Sequence, residues 1–388
     1  MPSSRRLSAA ACALLLPLLA TVTIATAGAE PGARAVRQTA TLSMHPQLAQ
    51  PGATPASSAG AKSSMTARFR PVRSGRPVIL QRRKGTAWVN VAKARQNSSG
   101  VAEFNAPYMV SGRLATYRAY TASWRGLAKK ATAAARTDRW GAPDFTDEFT
   151  NPATLGTTWK DRSQGYESVG SRKCVKSDPR ATSVAGGALR LSVLDDPDRA
   201  DSGDLANRCD PGEPGGPTYN YRLTGHVTTQ GTKFLQYGYV AARVRFQRYA
   251  GQHAAVWMQP EPSVASSDPG AEIDVIEWFG DRTNDNTELT SHVYKNGTKY
   301  KGPITNTGRF TARNSDWWTR YHVFSVEWTP SRYVFRIDGR KTIEQTRGVS
   351  RRPEYLLLSL ISSDYELPLQ KGSLPQHMYV DWVKYWKR

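Results

Sequence analysis

The chain has 388 residues, 39% of them hydrophobic, with 53 Lys and Arg against 32 Asp and Glu for a formal net charge of +21. That length and apolar content exclude a disordered chain and allow two or three domains, each with its own core. Residues 1–139 hold 21 basic against 3 acidic residues and residues 140–388 hold 32 against 29, so the cationic surface is N-terminal. Its basic residues are scattered through strand-like segments without a binding motif, which argues against nucleic acid. An anionic cell-wall polymer or acidic polysaccharide is the expected partner of this region, with an ordinary solvated surface as the alternative.

Arg5-Arg6, an apolar run from Leu7 to Ile24 and the small residues Ala25-Thr26-Ala27 read as a signal peptide over residues 1–29, cleaved near Ala27 or Ala29. A membrane anchor is the alternative, disfavoured because Pro17 interrupts a run close to the ~18 residues needed for spanning. The expectation is a secreted protein, extracellular or wall-associated, with no membrane span after signal removal.

From residue 30 to 126, short alternating segments such as Ser64–Phe69, Pro77–Arg82, Ala87–Val91 and Ala115–Tyr120 are separated by turn signals at Lys84-Gly85 and Asn97-Ser98-Ser99-Gly100. This pattern predicts a small immunoglobulin-like β-sandwich. It contains no acid pair or histidine cluster, so binding or spacing is its expected role. Residues 127–139, rich in Ala and basic residues, read as a linker. From 140 to 388, strand patterning dominates and helical periodicity is scarce, which fits one large antiparallel β-sandwich.

Of three cysteines, Cys12 lies in the expected signal peptide; Cys174 and Cys209 form an even pair whose expected state in an oxidising compartment is a disulfide. They would staple a segment, 161–221, rich in Gly, Pro and Asp. Neither has the neighbouring ligands that a zinc site needs.

Glu272-Ile273-Asp274-Val275-Ile276-Glu277 places three carboxylates among β-branched aliphatics. An exposed acidic strand, or a helix with Asp274 and Glu277 one turn apart, is the bland reading, but the three β-branched residues disfavour helix. On a regular strand Glu272 and Asp274 share a face while Glu277 points away. One inserted residue, a β-bulge among Asp274, Val275 and Ile276, would return Glu277 to the same face, and bulges recur next to active sites. Carboxyls brought to about 5–5.5 Å suit retaining glycoside hydrolysis, one as nucleophile and the other as acid then base.

This segment resembles the catalytic signature of glycoside hydrolase family 16 in its bulged, laminarinase-like form. The likeness extends, in order, through Trp140, Asp144–Phe149, Trp159, Gly187–Leu191, Tyr237-Gly238-Tyr239 with Arg243, Val256-Trp257-Met258, His292-Val293-Tyr294, Glu327–Pro330, Asp338-Gly339 and Val380–Val383. Ala241 stands where the family usually has a glutamate, and Ser362-Ser363 where it has an asparagine and glycine pair, which leaves substrate choice less determined than reaction class. The resemblance implies an all-β, concanavalin-like jelly roll with a concave active site over residues 140–388. It implies Glu272 as nucleophile, Glu277 as acid/base and Asp274 between them, with His292 bridging the acids unless it is an ordinary half-buried histidine.

Trp257 and Trp278 are candidate sugar platforms; Tyr294 and Trp317-Trp318 are further aromatic candidates, and Arg243 would orient substrate or pair with an acid. No cofactor is required for the chemistry. A structural calcium is implied, with Asp381 and backbone carbonyls near Gly187 as ligands. The leading expectation is a monomeric, endo-acting, retaining β-glycosidase acting on an extracellular polysaccharide, foremost a β-1,3- or mixed-linked glucan. Transglycosylation, a galactan or sulfated-galactan substrate, and a non-catalytic polysaccharide-binding protein are the alternatives.

Overall fold

Strand after strand follows the alternation and turn signals of the sequence in the computed structural model, which describes residues 36–166, 174–199, 209, 220–281, 289–362 and 374–388. The expected signal peptide and nearly all of the 281–288 loop lie outside these residues. Among the described residues no helix is long and apolar enough to cross a membrane.

Thr39–Ala49, Lys62–Arg70 and Val101–Ala106 form a three-stranded antiparallel sheet. Pro77–Lys84, Ala87–Arg95 and Thr116–Thr121 form a second, extended by the short strands Lys130–Ala131 and Ala135–Arg136. Every second residue points inward, so Met65, Ala67, Phe69, Val78, Leu80, Phe104, Tyr117 and Ala119 share one core. The stretch expected as a linker, 127–139, therefore contributes strands to this sheet: Thr132 hydroxyl accepts from the Ala119 N–H at 3.0 Å, anchoring it there.

The rest is a continuous ladder of strands. Thr298–Tyr300, Leu289–Lys295, Glu272–Trp278, His253–Pro260, Glu354–Ile361 and Arg222–Thr228 make one half; Ala188–Asp195, Gln376–Trp386, Gly238–Arg245, His322–Thr329, Arg332–Ile337 and Arg340–Gln345 make the other. These twelve pair antiparallel to their neighbours, and the halves enclose a core that joins Val256, Ile273, Ile276 and Leu358 of the first to Val240, Val244, Phe324 and Val326 of the second. Apart from short helical turns, the described residues outside loops are thus nearly all β.

The outer face of the second half is also covered. Along Gly238–Arg245, Val240, Ala242 and Val244 enter the main core while Tyr239 and Ala241 join Leu48, Ala61, Val323, Trp382 and Trp386 on the opposite side. Covering both faces is why this strand reads as nearly continuous apolar sequence. Arg243, on that outer side, is 1% exposed and faces away from the acidic strand's cleft. Its Nε donates to the Gln50 carbonyl at 2.6 Å, its Nη1 to the Thr54 carbonyl at 3.0 Å and to the Asp381 carboxylate, and its plane lies 4.6 Å from the Tyr321 ring centre. Residues 50–56 are thereby fastened across the sheet, with Gly52 and Tyr321 exchanging backbone hydrogen bonds of 3.1 and 2.6 Å. A side chain at position 52 would stand 2.7 Å from the Arg243 guanidinium, so glycine is required there.

This arm decides between the two roles expected of Arg243, and it corrects one for Asp381. Arg243 pairs with an acid, Asp381, and faces away from the cleft instead of orienting substrate. Asp381 is not available as a calcium ligand, because it holds Arg243 and both its oxygens accept from the Ala56 N–H at 3.2 Å. Pro55 covers Gly187, whose Cβ position would lie 3.9 Å from the proline Cβ, so the arm fills the space between the expected ligands. Calcium takes six to eight oxygens, and a neighbouring guanidinium repels it. The residues present do not fit that ion.

Chelator should therefore leave the thermal midpoint unchanged, whereas Arg243→Met, which strands Asp381 as a buried unpaired carboxylate, should cost about 3–5 kcal/mol in denaturant unfolding.

Candidate active site

The acidic strand departs from regular pairing where its spacing predicts. Against His253–Pro260, Ile276 stands opposite Val256 and Asp274 opposite Trp257, leaving Val275 as the extra residue. Against Leu289–Lys295, Asp274 pairs with His292 and Glu277 with Thr290, three steps facing two. Val275 and Ile276 are both buried in the core, and the Ser291 hydroxyl donates to the Val275 carbonyl at 2.8 Å, so the bulge is held by packing and by a hydrogen bond. Its consequence is that Glu272, Asp274 and Glu277 line one cleft of about 490 Å³.

The three carboxyls have different surroundings. Glu272, half-buried at the strand's start, accepts from Gln259 Nε2 at 3.1 Å, and Tyr355 hydroxyl donates to Gln259 Oε1 at 2.9 Å, which fixes that amide's orientation. Asp274 lies 3.1 Å from His292 Nε2. Glu277 accepts from the Thr290 hydroxyl at 2.7 Å, with His253 Nε2 at 2.7 Å on one oxygen and His292 Nδ1 at 3.1 Å on the other.

Burial, reinforced by the charges of Glu277 and Glu272, pushes the Asp274 carboxyl well above the usual carboxylate range. Burial pushes Glu277 up too, but the charge and hydrogen bond of His253, with His292 and Thr290, outweigh it and hold the group down at about 2. Burial lowers His292 to about 4, so its imidazole is neutral near pH 7. One proton assignment satisfies all three: Asp274 carries a proton toward His292 Nε2, and His292 Nδ1–H points to ionised Glu277. Donor atoms of Asp274, Glu277 and His292 lie within 4.8 Å of one another, close enough to ring a cation. Both imidazole nitrogens already face carboxylates.

Trp257 lines the cleft, its indole N–H donating to Ser359 Oγ at 3.1 Å. Trp278 does not: it is fully buried, stacks on Phe246 with ring centres 5.8 Å apart and donates to the Gln247 carbonyl at 2.8 Å. The bulge explains this correction, since turning Glu277 into the cleft turns the next residue into the core. Trp317 is likewise in the core, and Trp318 packs on Trp278 at 6.2 Å. Tyr294 stands opposite Glu272 on the neighbouring strand and sets the edge of His292, with ring centres 4.8 Å apart, without lining the cleft. Cys174 and Cys209 form a disulfide with Cα atoms 5.5 Å apart.

The cleft also holds Arg162, His226, His253 and Gln259, which sequence reading did not single out. His253 and Gln259 share the period of Trp257 along one strand, so alternation alone could have found them. Arg162 and His226 carry no such local signal. A larger cavity, about 580 Å³, lies between the N-terminal strands and Tyr239, Glu327 and Arg336, but its carboxyls, Glu103, Glu327 and Glu344, are each paired with a basic side chain, Arg336, Arg332 or Lys341.

Because folded Asp274 keeps a proton that the unfolded chain releases near pH ~4, stability falls as pH rises from there through the raised folded value. Asp274→Asn should thus be more stable than wild type at pH 7, with the difference shrinking toward zero below pH ~4, as read by denaturant unfolding at both pH values.

Residues 217–384 match the family model described as Glycosyl hydrolases family 16. A beta-glucanase of Acetivibrio thermocellus is 29% identical over 174 residues, covering 44% of this chain and 48% of the relative. A keratan-sulfate endo-1,4-beta-galactosidase of Sphingobacterium multivorum is 27% identical over 201 residues, covering 48% and 45%. The chain thus spans about half the length of these curated relatives. Among solved structures, the laminarinase catalytic domain of Thermotoga maritima aligns with a TM-score of 0.48 at 18% identity, over 63% of this chain and 98% of that one. The Bacillus licheniformis beta-glucanase aligns at 0.48 and 22%, over 64% and 99%. The match to the family model runs from the cleft-lining strand Arg222–Thr228 through the acidic strand to Gln376–Trp386, so over residues 217–384 the chain is similar to family 16 of the glycosyl hydrolases.

Proposed function

We propose that the protein is an endo-acting, retaining β-glycosidase that cuts within a β-linked polysaccharide, a β-1,3- or mixed-linked glucan foremost. The observation that carries this reading is the bulge, which gathers three carboxyls with different surroundings in one cleft. Glu272 attacks the anomeric carbon while Glu277 delivers a proton to the leaving oxygen, giving a glycosyl ester on Glu272. Water then attacks that ester, with Glu277 taking its proton, and the anomeric configuration is restored.

Glu277 is ionised in the free cleft, so its proton must come from a neighbour. His253, 2.7 Å away, is placed to supply it. Substrate displaces water, raises the cost of a buried carboxylate charge, and so favours the protonated form of Glu277. Asp274, protonated beside Glu272, tempers the negative charge that would otherwise repel a second carboxylate. Gln259 fixes the nucleophile's direction.

The beta-glucanase relatives support the glucan backbone. The leader-like residues 1–29 and the disulfide support action outside the cell, and the excess positive charge before residue 140 supports contact with an anionic wall polymer through the N-terminal sheets.

Glu272→Gln should lower turnover of laminarin or lichenan by on the order of 10³-fold or more while preserving binding. Proton NMR of the first product formed by the wild type should show the β-anomer; an α-anomer, or undiminished turnover in the variant, would remove the assignment.

A further inference from the structure

One side chain in the cleft has no part in the chemistry above. Arg162 follows the short strand Lys160–Asp161, whose ladder runs through Arg222–Thr228, Glu354–Ile361 and His253–Pro260 to the acidic strand. Its backbone N–H donates to the His226 carbonyl at 2.9 Å. From there the side chain reaches across the cleft floor until its guanidinium lies 5.2 Å from the ring centre of Trp257. The Trp257 indole N–H points to Ser359, away from the acidic strand. The guanidinium therefore sits about two strand spacings, roughly 10 Å, from the carboxyls, one or two sugar residues from the bond being cut.

Its charge is unmatched. Among the described residues no carboxylate lies within ion-pair distance of Arg162, and its Nη1 is buried without a hydrogen-bond partner. Leaving such a donor unsatisfied is costly, the more so for a charged group. The guanidinium also occupies one face of Trp257, so that face offers a flat cation where a neutral pyranose would otherwise stack. A planar fork of N–H donors matches the oxygens of a sulfate or carboxylate.

We infer that Arg162, held on Trp257, forms a cationic subsite that binds an anionic substituent, a sulfate ester or a uronate carboxylate, on a sugar one or two residues from the scissile bond. The inference rests on the glycosidase reading and adds to it a preference, among β-linked polysaccharides, for those that carry negative charge.

The test uses the full chain and two matched polymer pairs: keratan sulfate with its desulfated form, and laminarin oxidised at C6 with its neutral parent. For at least one pair kcat/KM should favour the charged member by roughly 10-fold or more. Arg162→Met should bring that ratio close to one, mainly through KM, and Arg162→Lys should keep part of it. The sulfated pair reports on sulfate and the oxidised pair on carboxylate. Binding of oligosaccharides from each pair to Glu272→Gln, measured by calorimetry, reads the charge preference without turnover. Loss of all hydrolysis with a retained, Arg162-dependent charge preference would overturn the enzyme and leave the subsite standing. Equal binding of charged and neutral members, or a preference untouched by Arg162→Met, would overturn the subsite.

Discussion

One extra residue, Val275, sets the chemistry of this molecule. A strand with strict alternation would carry Glu277 into the core and Trp278 into the cleft; the bulge exchanges them. The exchange is stable because the displaced residues are Val275 and Ile276, which gain full burial, and because Ser291 takes up the Val275 carbonyl. Packing behind the sheet thus determines charge in front of it. A polar residue at 275 or 276 would remove the apolar contacts that hold the register shift.

The gathered acids then differ through their neighbours. His253 and Thr290 come from the two strands flanking the acidic one, and both reach the same carboxylate because they stand beside Glu277 in register or on its face. Asp274 is fully buried beside a neutral imidazole and two carboxylates, and the charge of Lys299 does not offset them, so its charged form is the costly one. Three residues of similar chemistry become three different groups by position alone.

On the other side of the sandwich, a second buried charge performs a structural task. Arg243 draws carbonyls and a carboxylate around itself much as a metal ion would, and so ties the segment 50–56 to the sheet that backs the cleft. The N-terminal strands are therefore joined to the twelve-stranded sandwich through a buried, hydrogen-bonded arm as well as through the chain between them. A guanidinium is suited to this because its donors are fixed in a plane and its charge does not titrate.

Sequence by itself determined the strands, the bulge and the acidic face, since these follow from alternation, β-branching and a single insertion read over a few residues. It also indicated the cysteine pair. It misassigned Trp278 and Asp381 and left Arg243 between substrate and an acid, since each looks functional by residue type. Only the tertiary structure decided their roles, because burial and partners come from segments far apart in the chain: Phe246 and Gln247 for Trp278, and Gln50, Thr54 and Ala56 for the Arg243–Asp381 pair. The same holds for Arg162, His226 and His253, which meet the acids only where neighbouring strands bring distant segments side by side. Local periodicity fixes which way a side chain points; what it points at is a long-range property, set when the sheets close on a common core.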